Sequence, residues 1–99
     1  MLFRSGLVVN EGAKVAILRG ANLLPVGVTG VSDSFGVGDV VGLFDSNGAE
    51  FARGIANYTG EEVARIKGAN TKQVEDILGY IRRKEVVGRK YMSLKEEKP

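Results

Sequence analysis

The sequence holds no cysteine and no histidine. Without thiols it can build neither a disulfide framework nor a thiolate metal site. Without imidazole it lacks the commonest general base and the commonest metal ligand. Proline is scarce, at two residues, against fourteen glycines. That balance suggests the tight turns and close backbone approaches of a small β-rich barrel more than a helical bundle. No apolar run approaches the roughly 20 residues that a membrane-spanning helix needs, and the N-terminus lacks the architecture of a secretory signal. The expectation is a cytoplasmic protein with no membrane role and no cofactor.

What is present is ordinary in bulk and uneven in detail. Ninety-nine residues, 43% hydrophobic and 26% charged, suit one soluble domain with a single modest core. The net charge is only +2. From Arg82 onward, however, seven basic residues (Arg82, Arg83, Lys84, Arg89, Lys90, Lys95, Lys98) stand against three acids. A locally basic end attracts phosphate even on a nearly neutral domain, although such a run also serves as a plain solvated surface.

Along the chain, "SGLVVNEGAKVAILRG" reads as a short strand entering a helix. Asn10 is placed to cap it, Glu11 to favour its positive end, and Gly20 to close it. Ala13, Ala16, Ile17 and Gly20 share one face. After Pro25, "VGVTGV" predicts a short strand with a bend. Val40, Val41, Leu43 and Phe44 form an apolar strand. Asn47-Gly48 supplies a pair that accepts positive φ at both turn centres, and a returning strand alternates Phe51, Arg53, Ile55 and Asn57 against Ala52, Gly54, Ala56 and Tyr58. Thr59 and Glu62 fit a capping box for a brief helix ending at Gly68, and Asn70 caps another. That next helix places Val74, Ile77, Leu78 and Ile81 as a buried stripe. "EVVGRKYMSL" reads as a closing strand before the charged tail "KEEKP". Strands punctuated by short helices and many glycines predict a small, barrel-like α+β domain.

Catalytic readings find little support. "GVGDVVG" at 36–42 enters a strand, whereas a dinucleotide fingerprint leaves one and opens a helix. Glu61 and Glu62 suit a helix N-terminus, and Glu75 and Asp76 the wet side of an amphipathic helix. Asp33, Asp39 and Asp45 lie in or beside turns, where Asp bonds backbone N–H groups. No nucleophile or metal cluster accompanies them, so no catalytic residue and no metal ligand is assigned. There remain "RGANLLPVGV" at 19–28 and "GRKYMSL" near the end. Arg19 adds a forked cation beside an exposed glycine backbone, and Lys90 and Tyr91 are expected on opposite faces of the closing strand. Such groups suit a phosphate ribbon, which is contacted without its bases being read.

The pieces "LVVNEGAKVAILRGANLLPVGVTGV", "FGVGDVVGLFD", "GAEFARGIANY" and "ILGYIRRKEVVGR", in this order, resemble the PUA domain, and most of all the PUA domain at the C-terminus of glutamate 5-kinases. The resemblance runs from Gly6 to about Leu94, with residues 1–94 as the domain and 95–99 as a tail. It implies a PUA-like pseudo-barrel of mixed strands with short flanking helices. It also implies a face for structured RNA, tRNA or rRNA, made by the segment after the first helix and the last strand. Here these are Arg19, Gly20, Ala21, Asn22 and Leu23 with Arg89, Lys90 and Tyr91. The kinases' usual "HRDN"-like segment is "GRKY" in this chain, which replaces histidine and aspartate with a more basic end. The amino-acid kinase domain of that family is absent, so its activity is not expected here. A second implied role is a regulatory partner of such a kinase domain, through an apolar surface built from Leu23, Leu24 and Val26.

Overall fold

The computed structural model of the protein describes residues 5–32 and 34–95. The expectation for Asp33 and most of that for the charged tail lie outside these residues. The chain opens with strand β1 (Gly6–Val9) and helix α1 (Glu11–Leu18). A 3-10 turn at Pro25–Gly27 leads to β2 (Val28–Ser32), followed by β3 (Val40–Phe44) and β4 (Glu50–Ile55). Helices α2 (Gly60–Ile66) and α3 (Thr71–Leu78) follow, then a second 3-10 turn at Arg89–Tyr91 and the two-residue β5 (Ser93–Leu94). The strands form one mixed sheet in the order β2-β1-β3-β4-β5. Only the β1–β3 pair is parallel. This is the α+β domain that the sequence predicts.

The helices begin where the capping residues place them. Asn10 accepts the Ala13 N–H, and both later helices carry complete capping boxes, Thr59 with Glu62 and Asn70 with Gln73. Each such cap is worth about 1 kcal/mol. Helix α1 is closed by Gly20, two residues past its end, which takes φ +96°. The Gly20 N–H returns to the Ile17 carbonyl and the Ala21 N–H to that of Ala16, the paired bonds of a Schellman close.

Leu7, Val9, Ile17, Leu43, Tyr58, Val63 and Ile66 are wholly buried between sheet and helices, each aliphatic side chain stabilising by about 1.5–3 kcal/mol. The alternation on β4 holds: Ala52, Gly54, Ala56 and Tyr58 face the core, while Arg53 is exposed. Gly54 sits so close to its neighbour that a Cβ there would stand 2.3 Å from Val87 Cγ1. Phe51, which alternation would set apart from these residues, is also buried and belongs to the same core cluster, with the Lys14 ammonium 5.5 Å from its ring centre.

Three local expectations change. The β3–β4 hairpin is present, but its loop is Ser46–Gly48 rather than a two-residue turn. Asp45 Oδ1 accepts the N–H groups of Asn47 and Ala49, and Gly48 takes the left-handed conformation at φ +84°. An aspartate just before the turn stabilises this longer, bulged form. The stripe on α3 is shorter than its spacing implied: Val74 and Leu78 are buried, but Ile77 and Ile81 are 36% and 40% exposed. Gly79 adopts φ +85° and ends the helix, so Ile81 lies beyond it. The third change, in the closing strand, shapes the candidate site.

Candidate functional site

The segment after α1 and the segment before β5 are more than sixty residues apart in sequence, yet backbone hydrogen bonds hold them together. The Leu23 N–H donates to the Val87 carbonyl at 2.9 Å, and the Val86 N–H donates to the Leu23 carbonyl at 2.7 Å. Val87 also bridges to Ala56 just past β4. Pairing thus continues from β4 through Val87 to Leu23.

The side chains complete the junction. Asn22 Oδ1 accepts the Arg89 N–H at 2.8 Å, and Arg89 Nη1 donates to the Gly20 carbonyl at 3.1 Å. Gly20 suits this geometry: its positive φ turns the chain out of α1, and its carbonyl, just past the helix end, accepts from the Arg89 guanidinium. Arg89 is therefore a tether as well as a cation, and a guanidinium keeps further donors after giving one.

Asn22 takes the N–H that a strand would use, and the Met92 N–H folds back to the Arg89 carbonyl. Residues 89–91 consequently form a tight turn where a closing strand was expected, and Lys90 and Tyr91 do not alternate across a sheet. Both are exposed, Tyr91 at 68%, with Lys90 Nζ 5.5 Å from the tyrosine ring centre. The pair forms a cation lying against an aromatic face, more available to a ligand than the strand geometry allowed.

The other expected residues divide. Arg19 is exposed at the end of α1, and its guanidinium has no hydrogen bond or ion pair among the described residues. Ala21 is half-buried beside an apolar cleft. Leu23 is 0% exposed and both its backbone groups are engaged, so it anchors the loop and offers nothing to a ligand. The same burial removes Leu23 from the apolar partner surface, where Leu24 and Val26 remain exposed.

Two grooves flank the Arg89–Tyr91 turn, and Arg89 and Lys90 border both. One, of about 280 Å³, runs past Ile17, Gly20 and Met92. The other, of about 340 Å³, is bordered also by Asn22, Asn57, Arg83 and Glu85. The last three were not expected at the site. Their signal was in plain view as the "NY" after β4 and the "RRKE" run, but only the fold brings them to the groove.

Tyr58 and Glu62 hold that outer segment in place. The buried Tyr58 hydroxyl accepts the N–H groups of Arg82 and Arg83, both at 3.1 Å, and donates to the Arg83 carbonyl. Asn57 Nδ2 donates to the Glu85 carbonyl. Glu62, far from being a plain helix-end charge, accepts from the Tyr80 hydroxyl, the Arg82 guanidinium and the Thr59 N–H. Burial pushes its carboxyl up, but these donors outweigh it and hold the group at about 2. Arg82 is thereby committed to structure. Among the described residues no cluster of three histidine, cysteine, aspartate or glutamate side chains could hold a metal, and no helix is long and apolar enough to cross a membrane.

Residues 6–78 match the PUA domain family. The chain is 47% identical to glutamate 5-kinase of Thermus thermophilus over 92 residues, covering 92% of this chain and 25% of the relative. With glutamate 5-kinase of Methanosarcina mazei the identity is 45% over 94 residues, covering 94% of this chain and 24% of the relative. The chain thus spans about a quarter of the length of the curated relatives it matches. Among solved structures it is similar to a PUA domain from Aeropyrum pernix, crystallised as a tartrate complex, with a TM-score of 0.64 and 25% identity over 87% of this chain and 42% of the other.

Proposed function

The chain belongs to the PUA domain family, and from that premise we propose that it is a non-catalytic module that binds structured RNA on the ridge formed by Arg19–Asn22 and Arg89–Tyr91. One observation carries the reading: the double tether from Arg89 to Gly20 and Asn22. It draws the two segments that the family resemblance implicates into a single exposed surface. On that surface Arg19, Arg89 and Lys90 supply positive charge and Tyr91 a ring on which a base can stack. Phosphate contacts of this kind position a ligand and supply most of its affinity without reading sequence.

The test is a salt titration of the purified protein's binding to fluorescein-labelled bulk tRNA by fluorescence anisotropy. The logarithm of affinity is expected to fall linearly with the logarithm of salt concentration. Replacing Arg19 and Lys90 together by alanine should weaken binding to all RNAs alike. Absence of binding by the wild-type protein at low salt, or a double variant as tight as wild type, refutes the assignment.

A different surface favours a second reading, a regulatory contact with an amino-acid kinase domain such as the matched relatives carry. Exposed Leu24 and Val26 border an apolar cleft of about 260 Å³ with Ala13, Ala16 and Ala21. Adding the protein to a glutamate 5-kinase lacking its own PUA domain should then change activity or proline sensitivity, and no change counts against this reading.

A further inference from the structure

We propose that Arg83 is an additional phosphate-binding residue of the RNA surface, and that the buried hydroxyl of Tyr58 is the positioning residue that holds it there; this rests on the RNA-binding reading above. Neither residue belongs to the two segments that the family resemblance assigns to RNA.

Three cations follow one another in the segment after α3, and the structure gives them different tasks. Arg82 is held by its own neighbours: its guanidinium pairs with Glu62 and lies 5.6 and 5.3 Å from the ring centres of Tyr58 and Tyr80. Arg83 borders the 340 Å³ groove with Arg89 and Lys90. Its side chain is exposed and has no hydrogen bond or ion pair among the described residues. Lys84 does not reach the groove. A forked donor set without a protein acceptor, bordering a groove with two further cations, is suited to a phosphodiester.

An exposed arginine in an irregular segment is useful only if its backbone is fixed, because ordering it on binding would consume affinity. Here the fixing is unusual. One phenol oxygen receives both the Arg82 and the Arg83 N–H and donates to the Arg83 carbonyl. Both backbone polar groups of Arg83 thus end on a side chain that is 0% exposed. Asn57, the neighbour of Tyr58, fixes Glu85 in the same way. The groove itself lies at the small end of the roughly 300–1,000 Å³ range of ligand sites. Glu85 also borders this groove, and its negative charge opposes the three cations in attracting phosphate.

The experiment measures binding of a short fluorescein-labelled oligouridylate, across about 50–200 mM salt, to the wild-type protein and to Arg83→Ala, Arg83→Lys, Glu85→Gln, Tyr58→Phe and Tyr58→Phe/Arg83→Ala. For Arg83→Ala we expect about fivefold weaker binding, the size of one partly screened ion pair. The log–log salt slope should become shallower by about 0.7, the value for one phosphate of a single strand. Arg83→Lys should restore the slope, and Glu85→Gln should bind more tightly. Tyr58→Phe should reproduce the slope of Arg83→Ala, with no further change in the double variant. A purely structural tyrosine would lower stability and leave the slope where it was. Arg83→Ala with wild-type slope, or Glu85→Gln no tighter than wild type, overturns the proposal while leaving the ridge intact. If Tyr58→Phe does not fold, the Arg83 and Glu85 variants, altered only at side chains off the core, still decide it. A wild-type protein that binds neither the oligouridylate nor tRNA removes the RNA reading itself.

Discussion

Replacing Gly54 by alanine tests how tightly the pairing that supports the ridge is packed. A Cβ at this position would lie 2.3 Å from Val87 Cγ1, well inside van der Waals contact, and Val87 is 0% exposed. Overpacking of this kind costs about 1–3 kcal/mol. Removing glycine's extra backbone freedom from a strand returns about 0.5–1 kcal/mol, so Gly54→Ala should destabilise by about 1–2 kcal/mol. Val87→Ala alone removes two buried methyl groups, about 0.8 kcal/mol each, with a further cost for the void; about 2 kcal/mol is expected. In the double variant the new methyl at 54 enters the space that Val87 vacates. The combined loss should then be no larger than that of Val87→Ala, a coupling of about 1–2 kcal/mol between touching sites. Thermal unfolding followed by far-UV circular dichroism resolves this, since 1 kcal/mol moves the midpoint of a domain this size by about 4–8 °C. Additivity within about 0.5 kcal/mol would refute the claim that Gly54 is required for lack of room. The experiment also reads the site: Val87 carries the Leu23 hydrogen bond, so Gly54→Ala should weaken RNA binding although no RNA-facing residue has changed.

Other perturbations follow from single observations. Gly20→Ala forces a Cβ onto φ +96° and should cost about 1–2 kcal/mol, seen as a lower thermal midpoint, with Gly20→Asn milder. Asn22→Ala leaves the exposed Arg89 N–H to water; it should cost about 0.5–1.5 kcal/mol and weaken tRNA binding, and wild-type affinity would mean the tether does not shape the surface. Glu62 titrates at about 2 in the fold against an ordinary value of 4.5. On acidification the unfolded chain takes up this proton first, so the stability that the carboxylate contributes is complete above about pH 4.5 and is lost as pH falls toward 2. Asp45, lowered chiefly by its hydrogen bond from Lys14, acts in the same direction. Urea midpoints measured from pH 7 to 2 should fall in that window, and Glu62→Gln should flatten the decline.

The sequence made the elements legible where local chemistry decides them. Asn10, Thr59 and Asn70 announce helix starts because their side chains cap the chain beside them, and β4 declares its inner face by alternation from Ala52 to Tyr58. Prediction failed where a distant residue intervenes. Nothing near Arg89 says that its N–H is claimed by Asn22, and without that bond "GRKYMSL" is a reasonable strand. Ile77 and Ile81 fit a helical period, but Gly79 breaks it. The site divided on the same principle. Its cations could be found from composition and resemblance, whereas the burial of Leu23, the commitment of Arg82 to Glu62 and the availability of Arg83 depend on who packs against whom in three dimensions.

The tether between Asn22 and Arg89 also sets an order of events during synthesis. Residues 19–23 leave the ribosome long before residues 86–91 exist to receive them, so the early segment has no partners for its Leu23 N–H and carbonyl until nearly the whole domain has been made. Closing so long a loop carries an entropic cost, and β4, α2 and α3 all lie between its two ends. A partly made or truncated chain therefore presents scattered lysines and arginines but no ridge. Binding by this surface would accordingly be a property of the finished domain, and a ligand that holds it would favour the folded state as a whole.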